Sequence, residues 1–276
     1  MAEVSRAWRQ RKLRYAWAMS HALILGCGTV GVLTAQVLAA QGWSVTGVRR
    51  RPLGDEPCAM LAGDAADPAL LARCPMPDAV ALCASPGLRR GRDNGLERIA
   101  TAVTARWPRC RLVYTGSTAV YADLNGADAD EDAALGDDAA VTGLVAIERA
   151  VLAHADALVL RATALVGPTR THARERLAAG HGAVTVAGDP ERPFAYLHEA
   201  DCAALLAEAL GGAFPRGILN AAAPTRITLR DYYHHHADAL GLTLNLAGDG
   251  RPAPRRWINA RRLHRLTPGR TWRGLD

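Results

Sequence analysis

The stretch from Ala22 to Arg50 constrains the fold more than any other part of the chain. Ala22–Leu25 is a short apolar run that stops at Gly26, the signature of a buried strand. Gly26, Gly28 and Gly31 follow in Gly-x-Gly-x-x-Gly spacing. From Thr29 the pattern turns helical: Val30, Leu33, Val37 and Leu38 share one face, and Gly42 sits where a left-handed C-terminal cap belongs. Ser44–Val48 is a second short strand. Strand, glycine turn, helix and strand make the first half of a dinucleotide-binding unit. In it Gly26 makes the tight turn, Gly28 lets the backbone approach a pyrophosphate, and Gly31 lets helix and strand pack closely. The N–H groups at the start of the helix, around Thr29 and Val30, then face the phosphates.

The end of the second strand bears on the choice of cofactor. A site for NAD usually carries Asp or Glu about 20 residues past the glycines, on the ribose 2′-OH. This chain has Arg49, Arg50 and Arg51 there. A guanidinium grips a 2′-phosphate that a carboxylate would repel, so NADP is the expected cofactor. The alternative is a solvated basic turn, with Asp55 or Glu56 taking the ribose of NAD.

The chain continues as alternating strands and helices. Strands are expected near 58–61, 79–83, 111–115 and 157–160. Helices open at Asp67-Pro68, cover Leu96–Val103, and cover Leu144–Leu152. Such alternation predicts an α/β fold, a doubly wound parallel Rossmann sheet with helices on both faces. The loops after Leu25, Val48, Leu61, Cys83, Thr115 and Leu160 should converge on one site at the carboxyl ends of the strands. Beyond Val166 the alternation loosens, although Glu199–Leu210 reads as a helix and Gly217–Asn220 as a strand. Thr228 and Asp231 look like a capping box for a helix running to Leu240, with Gly241 after it. The expected organisation is a flexible basic arm over 1–20, a dinucleotide-binding domain over 21–165, and a smaller substrate-binding lobe over 166–276, interleaved with the sheet.

Composition excludes several functions. The 276 residues contain no apolar run of membrane-spanning length. The six cysteines are scattered without Cys-x-x-Cys spacing, which suits a reducing, cytoplasmic setting and no zinc site. The net charge of +6 is spread along the chain, and aromatic residues make up only 5%, so nucleic acid is not the expected partner. A small-molecule substrate is, and homodimer formation is left open. Lys12 is the only lysine, so no mechanism can use a lysine in the body of the chain. His234, His235 and His236 are consecutive, and helical neighbours point about 100° apart, so they cannot all ligate one metal ion. Cys27, within the glycine turn at a helix start, is either an activated thiol or a small buried residue. The acidic segment Asp123–Asp138 reads as a solvated loop, with the rim of a substrate cleft as its alternative. The arginine-rich end, Arg255–Arg273, reads as weakly helical.

Several motifs together carry a resemblance. They are the glycine fingerprint, Thr115-Gly-Ser-Thr-Ala-Val-Tyr121, Arg161-Ala-Thr-Ala-Leu-Val-Gly-Pro168, Tyr196-Leu-His-Glu-Ala-Asp201 and Asn259-Ala-Arg-Arg-Leu263. In this order they resemble the extended short-chain dehydrogenase/reductase superfamily, and within it the atypical NAD-dependent epimerase/dehydratase-like branch. The similarity spans residues 21–275. It implies that Ser117 hydrogen-bonds the reacting oxygen and that Asp64 lies beside the adenine. Cys83, Ala84 and Ser85 would line the ribose and nicotinamide side. His198 and Asp201 would shape the junction of the two lobes. One part of the pattern is missing. The family's catalytic Tyr-x-x-x-Lys, expected in the helix that contains Glu148, is replaced by Ala139–Glu148 with neither residue. Tyr121 and His198 are the candidate substitutes for its proton chemistry. The resemblance thus implies an NADP(H)-dependent oxidoreductase or epimerase-like enzyme on a small polar substrate. Its rival is a non-catalytic, redox-sensing dinucleotide-binding protein.

Overall fold

The computed structural model describes residues 20–88 and 91–276. The basic arm with Lys12 lies outside the described residues, except for Ser20. Strand β1 (His21–Leu25) leads through the glycine turn into α1 (Thr29–Ala40) and β2 (Ser44–Arg49). Next come β3 (Ala59–Ala62), α2 (Pro68–Arg73), β4 (Ala79–Leu82), α3 (Leu96–Arg106) and β5 (Arg111–Ser117). The chain goes on through β6 (Asp128–Ala129), α4 (Ala139–Leu152), β7 (Ala157–Ala162) and β8 (Ala164–Val166). The remainder comprises α5 (His172–Ala179), β9 (Ala183–Val186), β10 (Pro193–Phe194), β11 (Tyr196–His198), α6 (Glu199–Leu210), β12 (Gly217–Ala221), β13 (Ile227–Thr228), α7 (Leu229–Ala239), β14 (Asn245–Gly248), β15 (Trp257–Ile258) and α8 (Arg261–Leu266).

Seven strands form one sheet in the order β12-β7-β5-β4-β1-β2-β3, with every pairing parallel. The order reverses between β1 and β4, which places the ligand crevice at their carboxyl ends. The two-residue period of the strands divides the core. Ala22 and Ile24 face one side with Leu38 of α1 and Leu205 and Leu206 of α6. Leu23 and Leu25 face the other with Ile99 of α3 and Val151 of α4. The α6 helix and the edge strand β12 therefore belong to the main sheet, although both come late in the chain. A separate small core joins Leu177 of α5, Val184 and Val186 of β9, Tyr233 of α7 and Leu246 of β14.

Local signals set the ends of several helices. Asp67 accepts from the Ala69 N–H at 2.9 Å ahead of Pro68, and Gly42 takes φ 83° after α1. Thr228 and Asp231 cap α7 reciprocally, at 3.1 and 2.7 Å.

The arginine-rich end is helical over Arg261–Leu266, and the acidic segment is largely exposed, as a solvated loop would be. What the sequence did not indicate is a pairing between the two. Trp257 and Ile258 lie in register with Asp128 and Ala129, and Asp123 accepts from the Arg255 N–H at 3.0 Å. Arg262 approaches Glu131 to 3.2 Å and also bonds Asp132, while Arg226 bonds Asp128 at 2.6 Å. Opposite charge explains why both segments are ordered where each alone would be solvated.

Behind these contacts lies a buried polar network. Arg161 on β7 donates to both oxygens of Glu148 on α4, at 2.9 and 2.7 Å, and both side chains are 4% exposed. Its third nitrogen donates to the Tyr121 hydroxyl at 2.9 Å. That hydroxyl donates to Asn220 Oδ1 of β12 at 2.6 Å, and the Asn220 N–H reaches Glu131 at 2.9 Å. Removing one member of a buried ion pair strands the other charge, at about 3–5 kcal/mol. Arg161→Leu should lose stability of that order in urea unfolding, and Arg161→Leu/Glu148→Leu should recover most of it. A single variant as stable as the parent would contradict this reading of the network.

Candidate active site

The loops after β1 to β5 and after β8 converge on one cleft along the carboxyl edge of the sheet. It has two lobes of about 620 and 690 Å³ that share Gly26, Gly28, Ala84 and Ser85, so it runs continuously across the glycine turn. Gly26 has φ 82°, and a Cβ there would lie 2.4 Å from Ala84. Both facts require glycine. The turn is closed by Gly28 N–H to Gly26 O at 2.7 Å and tied to β2 through Val48 O. At Gly31 a Cβ would press on Ile24 at 3.0 Å, so this glycine sets the contact of α1 with β1. A Cβ on Gly28 would meet nothing closer than 4.0 Å, and Gly28 lines the cleft. The space beside it is therefore open to a ligand.

The N-terminus of α1 suits an anion. Val32 N–H bonds Gly28 O, which leaves Thr29, Val30 and Gly31 without intrahelical acceptors. No side chain caps the helix, and its first turn carries no acidic residue. Cys27 faces away from the cleft. It is fully buried, and its neighbour Cys58 together with burial pushes its thiol up. This is the small buried residue, not the activated thiol.

One lobe of the cleft is basic. Arg49, Arg50, Arg51 and Asp64 line it, joined by Arg98 from α3. Glu56 does not. Its carboxylate accepts from the Leu53 and Gly54 N–H groups at 2.6 and 2.8 Å and lies 3.5 Å from Arg49. The Leu53 contact leads in holding it below the usual carboxylate range. Glu56 fixes the turn that presents the arginines. Asp64 accepts from the Ala66 N–H at 2.9 Å, which leaves its second oxygen toward the lobe. Arg98 gave no signal in the sequence, because it sits on an ordinary amphipathic helix.

The other lobe gathers Cys83, Ala84, Ser85, Thr115 and Ser117, with Leu88, Leu144, Leu165 and Arg170. Ser117 Oγ accepts from the Ala119 N–H at 3.1 Å, which leaves its own proton for a ligand oxygen. Burial pushes the Cys83 thiol up to about 11, so it is a neutral thiol at ordinary pH. On α4, Leu144 faces the lobe where proton chemistry was sought. One turn before it stands Ala140, and one turn after it stands Glu148, committed to Arg161.

The two candidate substitutes are elsewhere. The Tyr121 hydroxyl is held between Arg161 and Asn220, and burial leads in pushing the phenol up. The His198 ring caps α6: Nδ1 accepts from the Ala200 N–H at 3.1 Å, so Nε2 donates to Asp276 O at 2.7 Å. Neither lines the cleft. His198 and Asp201 instead hold the C-terminal segment, since Asp201 accepts from the Arg273 N–H at 2.8 Å. The histidine run has one buried member, His236, pushed down to about 4 chiefly by burial. His235, His236 and Asp276 come together around Arg174, which donates to His236 at 3.4 Å and to Asp276 at 3.0 Å. The Arg174 guanidinium supplies positive charge there.

A family model described as the NAD dependent epimerase/dehydratase family matches residues 22–221. No curated protein sequence matches the chain. Solved structures do. An epimerase/dehydratase-like protein from Methylobacillus flagellatus is 24% identical, with 94% of this chain and 95% of that chain covered and a TM-score of 0.75. The Bordetella bronchiseptica enzyme WbmH, solved with NAD+, is 20% identical over 94% and 95% of the two chains, with a TM-score of 0.77. The dTDP-glucose 4,6-dehydratase of Bacillus anthracis, solved with NAD, is 15% identical over 91% and 90%, with a TM-score of 0.75. At these identities the likeness is one of fold.

The geometry of the turn separates its glycines experimentally. Gly28→Val should fold with near-parental thermal stability yet lose binding of a nicotinamide dinucleotide in calorimetric titration. Gly26→Val should lose stability, because its Cβ collides with Ala84. Unchanged cofactor affinity in Gly28→Val would remove the turn from the binding site.

Proposed function

The chain belongs to the NAD-dependent epimerase/dehydratase family, and from that premise we propose that it is an NADP(H)-dependent oxidoreductase or epimerase-like enzyme acting on a small polar substrate. The carrying observation is the continuous cleft, basic at one end and furnished with hydroxyls at the other. The residues present fit a dinucleotide. Gly28 and the open N–H groups of α1 would take the pyrophosphate, and Asp64 the adenosine side. Arg49, Arg50 and Arg98 would surround a ribose 2′-phosphate. Glu56 supports this choice, because its carboxylate is spent on the turn and does not compete for the 2′-OH. Cys83, Ala84 and Ser85 would line the nicotinamide side. When bound, the nicotinamide ring supplies hydride transfer.

The remaining work falls to side chains at the second lobe. Ser117 would donate its hydroxyl proton to the substrate oxygen and so favour negative charge developing there. Leu144 and Leu165 would keep bulk water from the reacting carbon. Proton exchange would pass through Ser117 and water, since Leu144 replaces any acid or base on α4. The same Leu144 favours the second reading, a protein that binds NADP(H) and reports its redox state without turnover. Motion in that reading would involve the separate small core of α5, β9, α7 and β14, since α6 and β12 belong to the main sheet.

Two measurements test these readings. Arg49→Asp should weaken NADP(H) by at least about tenfold while changing NAD(H) little, because it sets like charge beside the phosphate. Equal affinity of the parent for both cofactors would refute the arginine argument. Ser117→Ala should lower turnover about 10²-fold at unchanged cofactor affinity, followed by nicotinamide absorbance on carbonyl substrates. Absence of any turnover, with different hydrogen exchange in the NADPH and NADP+ complexes, would favour the sensor.

A further inference from the structure

We infer that Arg170 is the substrate's anchor and that the substrate is a small oxo or hydroxy acid, bound through its carboxylate beside Ser117. This rests on the cofactor reading of the cleft and names the class of molecule that would share it. Among the described residues that line the lobe with Ser117, Arg170 is the single charged side chain. The lobe's other polar lining side chains are neutral, Ser85, Thr115 and Ser117 among them, and Leu88, Leu144 and Leu165 make the rest of the wall apolar. No lysine of the described chain can take the role, since Lys12 is the only one.

The placement of Arg170 is built, not incidental. The chain leaves β8 through Gly167, at φ 130°, and Pro168, and the Arg170 N–H bonds Gly167 O at 2.9 Å. Its side chain then lies against Glu199, the first residue of α6, whose side chain is 3% exposed against 36% for Arg170. Glu199 is satisfied without the guanidinium. It accepts from the Thr169 N–H at 3.0 Å and from the Thr169 hydroxyl, and it stands at the positive end of the α6 dipole.

Arg170 Nε comes within 3.2 Å of Glu199 yet is buried with no aligned hydrogen-bond acceptor. The contact therefore fixes the position of the charge and leaves the outer nitrogens of the fork open to the lobe. A planar carboxylate matches that fork with two parallel N–H bonds, a match that an amide or an alcohol cannot make. Ser117 lines the same lobe, so in this proposal the carboxylate of an oxo or hydroxy acid meets Arg170 and its reacting oxygen meets Ser117.

The test uses the NADPH-loaded full chain and reads binding, so it needs no known reaction. Oxamate, a carboxylate that does not turn over, is titrated calorimetrically beside inorganic phosphate and neutral lactamide. The expectation is that oxamate binds and lactamide does not. Arg170→Gln should weaken oxamate roughly 10- to 100-fold, the range for hydrogen bonds to a charged group. Arg170→Lys should restore part of the affinity, and the NADPH affinity should stay within about twofold in all variants. Because Arg170→Gln leaves Glu199 buried beside a neutral group, Arg170→Gln/Glu199→Gln is measured as well, and it should show the same loss. Oxamate binding that is absent, or that survives in Arg170→Gln and in the double variant, overturns the proposal. Phosphate bound in an Arg170-dependent way with oxamate silent overturns the carboxylate assignment. Failure of the parent to bind NADPH would instead overturn the cofactor reading, and oxamate titrated into the cofactor-free chain would still report on Arg170.

Discussion

A guanidinium buried between a sheet and a helix is stable only if its charge and its N–H groups are met by protein. Arg161 meets that condition with Glu148, Tyr121 and the main-chain oxygen of Glu131. Each partner belongs to a different part of the chain, so one side chain joins α4, β7, the turn after β5 and the acidic segment. Asn220 extends the same network to the edge strand and to the tail through Ala129 O and Asn259 O. The network accounts for three features at once. It orders the acidic segment, it commits Glu148 on α4, and it removes Tyr121 from the cleft. Tyr121 and Glu148 are therefore engaged by the same contacts that hold the acidic segment and the edge strand in place.

The cleft depends on a different economy of atoms. Backbone comes close to backbone at Gly26 and Ala84, and backbone is left uncovered at Gly28. Gly26 has no room for a side chain, whereas a Cβ on Gly28 would meet open space beside the cleft. The positive charges are graded along the cleft in the same spirit. Arg49 is steadied by Glu56 and Arg170 by Glu199, so each end presents a guanidinium backed by a buried carboxylate.

Features set by local chemistry were legible in the sequence. The glycine turn, the caps at Asp67 and Thr228, the αL glycine at Gly42 and the alternation of parallel strands with helices rest on residues close in the chain or on simple periodicity. What was not legible depended on distant partners. The Tyr121 hydroxyl finds Asn220, 99 residues on, and His198 finds Asp276, 78 residues on. Nothing near either residue distinguishes a committed side chain from one free for catalysis. The pairing of the acidic segment was not legible for the same reason, because the Arg255 N–H that engages Asp123 lies 132 residues away. Arg98 and Arg170 were missed because a lone arginine has no pattern. Only the cleft gives them a role.

Under the proposed function, this cleft binds NADP(H) in one defined orientation, basic end to the 2′-phosphate and Ser117 end to the nicotinamide. Hydrogen exchange followed by mass spectrometry, with and without NADP+, tests it most directly. Slowed exchange is expected in peptides covering residues 26–31, 49–51, 83–87 and 115–117, and no slowing in α7 or in β14. Protection confined to residues outside the cleft, or no protection at the glycine turn under saturating NADP+, would contradict it.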